Sequence, residues 1–184
     1  MNYIPLFRTL LFVGCVTFHQ VSQAQQKPVY VATWQVYFSP HGGATEAIIE
    51  ALGHAHSSIL VQAYSFTSEP IARALVRAHR RGLRVEILLD KSQQNQRYSV
   101  ASLLTQASIP TVIDAAHAIA HNKVMIIDDE TVITGSFNFT KAAEERNAEN
   151  VLIIRSKHLA ARFLENWRIH CRHSTPNSQP REQK

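Results

Sequence analysis

SILVQAYSFTSEPIARALVRAHRRGLRVEILLD, residues 58–90, decides the reading of the fold. Ser58–Ala63 is an apolar, β-rich run of strand length. Ser68-Glu69-Pro70 then opens a helix, since proline is tolerated in a first turn where its missing N–H has no partner anyway. Ile71, Ala74, Leu75 and Ala78 recur at i, i+3, i+4 and i+7, which draws one apolar stripe down that helix, and Gly82 ends it. Arg84–Leu89 is a second apolar run of strand length. Strand, helix and strand therefore follow one another across short turns.

The same alternation continues on both sides. Upstream, Trp34–Phe38 reads as a strand, Pro40-His41-Gly42-Gly43 as a turn and Ala44–Leu52 as a helix. Downstream, Lys91–Arg97 is a polar loop, Tyr98–Gln106 a helix and Thr111–Ile113 a short strand. Lys123–Ile127 and Thr131–Thr134 form a strand pair around an Asp128-Asp129-Glu130 turn, and Asn150–Ile154 is another strand. Lys157–Cys171 closes as a helix with Leu159, Phe163, Trp167 and Cys171 along one side. Elements in this order predict an α/β fold, an α/β/α sandwich with a mixed central β-sheet flanked by helices. No internal repeat is visible.

Composition agrees with a folded domain. The chain has 184 residues, 45% hydrophobic and 18% charged, which suits one globular domain. Residues 1–24 read as a secretory signal peptide: Arg8 supplies positive charge, Leu10–Phe18 a short apolar stretch, and Ser22-Gln23-Ala24 a small-x-small cleavage pattern. A second variant lipidates Cys15 within Phe12-Val13-Gly14-Cys15. The expected organisation is thus a signal peptide at 1–24, a folded domain at 25–173 and a disordered tail at 174–184, with a periplasmic or secreted location. No apolar run reaches the length of a membrane span, so no stable insertion is expected after cleavage. Cleavage removes one of 19 basic residues and none of 14 acidic ones, leaving a mild excess that favours anionic partners without identifying them. It also leaves Cys171 alone, which excludes an internal disulfide.

Chemistry concentrates between residues 121 and 149. His121-Asn122-Lys123 runs into Val124-Met125-Ile126-Ile127 and Asp128, and Gly135-Ser136-Phe137-Asn138 follows. Side chains alternate along a strand, so His121 and Lys123 share a face, an imidazole beside an ammonium. Ser136 and Asn138 share parity in the same way and offer a hydroxyl and an amide. Such a group suits an anion: lysine neutralises it, serine and asparagine donate hydrogen bonds, and histidine acts on it. Asp128 has the opposite parity and lies in a turn, which favours a structural or orienting role.

The pattern His-x-Lys-x4-Asp, then x6-Gly-Ser-x-Asn, resembles the signature of the phospholipase D superfamily. The short length, single copy and signal-like start are most similar to the bacterial Nuc-type endonucleases of that family. The resemblance runs from about Trp34 to Trp167. His, Lys and Asp alone would occur at this spacing in roughly one percent of chains this long, and the added Gly-Ser-x-Asn makes coincidence far rarer. What the resemblance implies is a catalytic group of His121, Lys123, Asp128 and Glu149, with Lys123, Ser136 and Asn138 on the substrate phosphate. In the family the motif histidine attacks phosphorus and forms a phosphohistidine. A second motif histidine protonates the leaving alkoxide, and water releases the intermediate. Glu149 occupies the place of the carboxylate that orients the histidine ring; a surface charge at a strand start is the other reading. No cofactor is implied, and activity is expected to survive EDTA.

Other residues carry weaker signals. The chain holds ten histidines. His54 and His56 fall at a helix end without a third ligand, and His170, Cys171 and His173 complete no zinc spacing, so no metal site is expected. His41 and His117 read as loop histidines. Arg73, Arg77, Arg80 and Arg81 line the polar face of their helix, with Arg84 after it; nucleic-acid phosphate contact and a solvated face explain them equally. Three functions follow: a nonspecific nuclease on DNA or RNA, a phospholipase D acting on lipid head groups, and a phosphate-binding module without catalysis. The first is favoured. One motif supplies one histidine, so a homodimer that shares its site is expected, with a monomer borrowing His117 or His79 as the competing picture.

Overall fold

The computed structural model describes residues 30–94 and 100–177. The expected signal peptide, part of the loop after Asp90, the first residues of the helix expected from Tyr98, and the end of the tail lie outside the described residues.

The strand–helix–strand unit forms as expected: β2 (Ser58–Ala63), α2 (Glu69–Arg80) and β3 (Arg84–Asp90), with β2 and β3 parallel. Gly82 takes φ 91°, and Leu83 N–H donates to Ala78 O, the left-handed end that frees the chain to turn back. Around this unit lie β1 (Thr33–Ser39), α1 (Ala44–Gly53), α3 (Ala101–Gln106), β4 (Thr111–Asp114), β5 (Lys123–Ile127), β6 (Thr131–Gly135), α4 (Lys141–Glu145), β7 (Glu149–Arg155), α5 (Lys157–His173) and β8 (Thr175–Pro176). Among the described residues eight strands make one sheet in the order β1-β7-β6-β5-β2-β3-β4-β8. β2, β3 and β4 are parallel, while β1, β7, β6 and β5 run as antiparallel neighbours up to β2. The mixed sheet with helices on both sides is the architecture the alternation predicted.

Strand parity sorts the core into two layers. Ile59, Val61, Ile87, Leu89, Met125, Ile127 and Ile133 face α1, α2 and α3. Leu60, Val124, Ile126 and Val132 face α5, which buries Ala160, Leu164 and Trp167 against them. Each fully buried Leu or Ile contributes about 1.5–3 kcal/mol. The Trp167 indole N–H donates to Val61 O at 3.2 Å, so its one polar atom is satisfied inside the core. β2 and β5 are buried along their whole length because both sheet faces are covered there. No helix among the described residues is long and apolar enough to cross a membrane.

At the β1 edge α5 no longer covers the sheet. Trp34 (66%), Val36 and Phe38 (64%) are exposed and pair with Ile154, Leu152 and Asn150 of β7. This apolar strip runs up to Ser39 and Glu149, the last pair of the β1–β7 ladder.

Three short features escaped the sequence. A single 3-10 turn covers Lys91–Gln93, α4 is one turn capped by Thr140 Oγ1 accepting from Ala143 N–H, and β8 pairs with Val112 and Ile113 of β4. None is long enough to show a period. β8 also corrects the expected tail boundary, since Ser174–Asn177 follow α5 directly and pair along the sheet edge.

Candidate functional site

Alternating strand directions bring one end of the sheet together. β2, β3 and β4 finish there at Ala63, Asp90 and Asp114, and the antiparallel β5 begins there at Lys123. β6 ends there at Gly135, β7 starts at Glu149 and β1 ends at Ser39. Ligands in open α/β sheets bind outside the carboxyl ends of parallel strands where the topology switches, and β2 between β3 and β5 is such a place.

Lys123 is the first residue of β5 and is only 7% exposed. Its Nζ donates to His121 O at 3.0 Å and lies 5.1 Å from the centre of the Tyr64 ring. Burial lowers the pKa of this ammonium, and the charge of Glu149 nearby opposes that effect. His121 precedes the strand and is exposed. Its ring leans on Tyr64, 4.5 Å between centres at 60°. Asn122 between them accepts from Tyr64 N–H through its carbonyl, which extends the β2–β5 contact past the ladder. An accessible imidazole thus stands beside a half-hidden cation.

Gly135 turns the chain from β6 into the Ser136–Asn138 segment at φ 151°, and a Cβ there would meet Asn150 O at 2.2 Å. No other residue fits that approach. Ser136 Oγ accepts from Asn150 N–H at 3.1 Å and from Asn150 Nδ2 at 3.4 Å, so this hydroxyl also ties the segment to β7. Phe137 and Phe139 are buried and Asn138 is half-buried between them, so the expected parity persists past the strand. Asn138 Oδ1 is buried with no hydrogen-bond partner, which leaves an acceptor open to a donor group. Glu149 accepts from Asn147 Nδ2 at 3.1 Å, and its own N–H donates to Ser39 Oγ. Within the chain the Glu149 carboxylate therefore meets Lys123 electrostatically and Asn147 by hydrogen bond, not the His121 ring.

Asp128 lies where its opposite parity and its turn put it, away from the His121 group. It sits at the far end of β5 from His121, roughly 20 Å away at strand rise. Both Asp128 and Asp129 have positive φ, 54° and 53°, as a tight hairpin turn requires. The Asp128 carboxylate accepts from the N–H groups of His56, Ser57 and Ser58 and from Ser57 Oγ. Burial pushes its pKa up, but the bonds from Ser58, His56 and Ser57 outweigh it and hold the carboxyl below its ordinary value. A place in the catalytic group is corrected accordingly: the motif aspartate fastens the β5–β6 hairpin to the α1–β2 turn.

The arginine face is partly committed. Arg73 pairs with Glu69, and Arg81 donates to Leu52 O and Ala55 O at the end of α1. A cleft of about 460 Å³ opens at the Asp128 end, lined among others by Trp34, His54, His56 and Arg155, remote from His121. Tyr64 is the site residue that sequence reasoning passed over; its position just beyond a parallel strand's carboxyl end was the available signal.

Comparison with known proteins fits this geometry. The profile of the cardiolipin synthase, PLD-like domain family matches residues 48–168. A phospholipase D of Rickettsia typhi is 49% identical over 130 residues, 71% of this chain and 64% of that protein. Human mitochondrial cardiolipin hydrolase is 34% identical over 129 residues, 70% of this chain and 51% of its own length. This chain therefore spans about half to two thirds of the curated relatives it matches. Among solved structures, Nuc from Salmonella typhimurium, a phospholipase D family member, superposes with a TM-score of 0.76 at 40% identity, over 79% of this chain and 98% of that one.

Proposed function

This chain belongs to the phospholipase D superfamily, and from that premise we propose that it is an exported phosphodiesterase that cleaves DNA or RNA through a phosphohistidine at His121. The observation that carries the reading is the exposed His121 imidazole beside the buried Lys123 ammonium, at the sheet end where the half-buried Asn138 follows β6. A neutral His121 ring nitrogen attacks phosphorus, the P–N bond forms and the P–O bond to the leaving alkoxide breaks. The alkoxide takes its proton from an imidazolium opposite. Water then attacks the phosphohistidine, gives a proton back to that second imidazole and returns His121 neutral. Lys123 and Asn138 meet the phosphate oxygens, where charge grows in the transition state. The charge of Glu149 favours the protonated Lys123 ammonium.

The second imidazole is the partner's His121. His117 stands with His170 and His173 around Asp114 instead, and neither His117 nor His79 is followed two positions on by a lysine as His121 is. The exposed Trp34–Val36–Phe38 strip ends beside Glu149 and supports a two-fold contact next to the site. Sedimentation at assay concentration is expected to give twice the chain mass, and a fully active monomer removes the shared site.

Nucleic acid is favoured by the single-motif layout shared along nearly the whole of Nuc, and the mild positive charge suits any anionic substrate. The names of the Rickettsia and human relatives favour a second substrate, the phospholipid head group. Purified protein given plasmid DNA, RNA, phosphatidylcholine and cardiolipin, each with and without EDTA, separates them. Nicking of DNA or RNA in EDTA is expected. Lipid turnover alone makes the second reading correct, and activity that only a divalent metal restores rejects the histidine nucleophile.

A further inference from the structure

Asp114 closes β4 with its side chain fully buried. Three imidazoles converge on it from two other places in the fold. His170 and His173, one turn apart near the end of α5, bring Nδ1 to 2.6 Å from Oδ2 and Nε2 to 3.2 Å from Oδ1. His117, on the β4–β5 connection, brings Nε2 to 3.9 Å from Oδ2. The three rings form a near-equilateral triangle, with centres 4.9, 5.2 and 5.4 Å apart. One ligand atom from each of the four residues lies within 4.8 Å of all the others.

We propose that Asp114, His117, His170 and His173 form a binding site for one zinc ion. Three imidazole nitrogens and one carboxylate oxygen are a four-donor set that suits zinc, and the nitrogen ligands disfavour calcium and magnesium. Bonds of about 2.0–2.1 Å place tetrahedral ligand atoms roughly 3.4 Å apart, so the cluster needs to tighten by little more than 1 Å. His117 supplies most of that movement, because its side chain is half exposed and sits on a loop. His117 Nε2 is too far from the carboxylate for a hydrogen bond, and its ring instead packs against those of His170 and His173. The buried carboxylate already receives Ala116 N–H on Oδ1 at 3.1 Å, which orients it toward the three rings.

The site is separate from the His121 group. Cys171 is not a ligand: it packs on the Leu60–Trp167 layer, and burial, then the charge of Glu86, raises its thiol pKa. Four protein ligands leave no open position, so the ion is structural. It pins the β4–β5 connection to the end of α5, a connection already held by Lys91 Nζ donating to His117 O and by Ala120 N–H donating to Asp90. That connection leads directly into His121. Chemistry at His121 therefore still proceeds in EDTA, provided the assay temperature stays below the melting point of the zinc-free protein.

The test uses untagged protein stripped with EDTA and dialysed against zinc sulfate. Metal analysis is expected to give one zinc per chain, and zinc is expected to raise the melting temperature by about 5–10 °C. Cobalt(II) in its place should show the visible bands of a four-coordinate ion. His117→Ala and His173→Ala should each weaken zinc binding at least about tenfold and abolish the cobalt spectrum, whereas His121→Ala should bind zinc like the wild type. His117→Ala decides the matter if a His170→Ala variant fails to fold, since His117 is not part of the core. Zinc uptake below about 0.1 per chain at micromolar free zinc overturns the site. Equal uptake by the wild type and the His117→Ala and His173→Ala variants overturns it too.

Discussion

His121→Asn is expected to remove turnover altogether while the protein stays folded. The ring is exposed and makes a tilted approach to Tyr64, so little packing is lost. The chemistry has no substitute: without this imidazole no P–N bond forms, and the loss should exceed about 10⁴-fold in kcat. Far-ultraviolet circular dichroism and a wild-type melting temperature would verify the fold, and residual activity near wild type would reject the assignment. Lys123→Ala should cost about 10²–10³-fold, the effect of one lost charged contact to the transition state. Lys123→Ala should act more on kcat than on KM, because the phosphodiester already carries one negative charge and the transition state carries more on the same oxygens. Mixing makes the shared site visible. With equal amounts of His121→Ala and wild-type chains, random exchange leaves about a quarter of the dimers wild type. A composite site then retains about a quarter of the activity, whereas independent sites retain about half.

Asp128→Ala should be the most damaging change to stability in the motif, and it should do so without touching the chemistry. The carboxylate receives four hydrogen bonds from three consecutive residues, His56, Ser57 and Ser58, and joins two turns 70 residues apart in sequence. Charged hydrogen bonds are worth about 1.5–3 kcal/mol each when shielded, but these lie near solvent, so a total of about 2–3 kcal/mol is expected. Asp128→Asn keeps the tolerance for positive φ and one acceptor oxygen, and should lose about half as much. The pH dependence has a fixed sign. The folded carboxyl is held below its ordinary value of 3.8, so its contribution is fully present above that value and fades as pH falls through the depressed one. Urea titrations should therefore show the gap between wild type and Asp128→Asn closing as the solution is acidified below that range. A gap that widens there would mean that the carboxylate is not the stabilising form.

Much of this was legible in the chain itself. The 58–90 stretch carries its own strand and helix periods, and each element formed where the apolar spacing put it. His121, Lys123, Gly135 and Asn138 were marked by residue type and spacing, because short spacing along or just beyond a strand fixes which side chains share an end of the sheet. The family resemblance rests on the same residues. Asp128 shows where spacing stops informing: seven positions from His121 along an extended segment is the length of the strand, so a motif partner in sequence became a neighbour of His56 in space.

Only the tertiary structure decided what lies beside these residues. Tyr64 meets His121 because β2 and β5 are antiparallel neighbours, a pairing between segments about 60 positions apart that no local period encodes. Asp114 meets His170 and His173 because α5 crosses back over the sheet and ends above β4. A histidine pair one turn apart is visible in sequence, but its third and fourth partners are more than 50 positions away. Local chemistry sets which segments become strands and helices. The order in which a sheet stacks those strands, set by burying both of its faces at once, determines which of their ends meet.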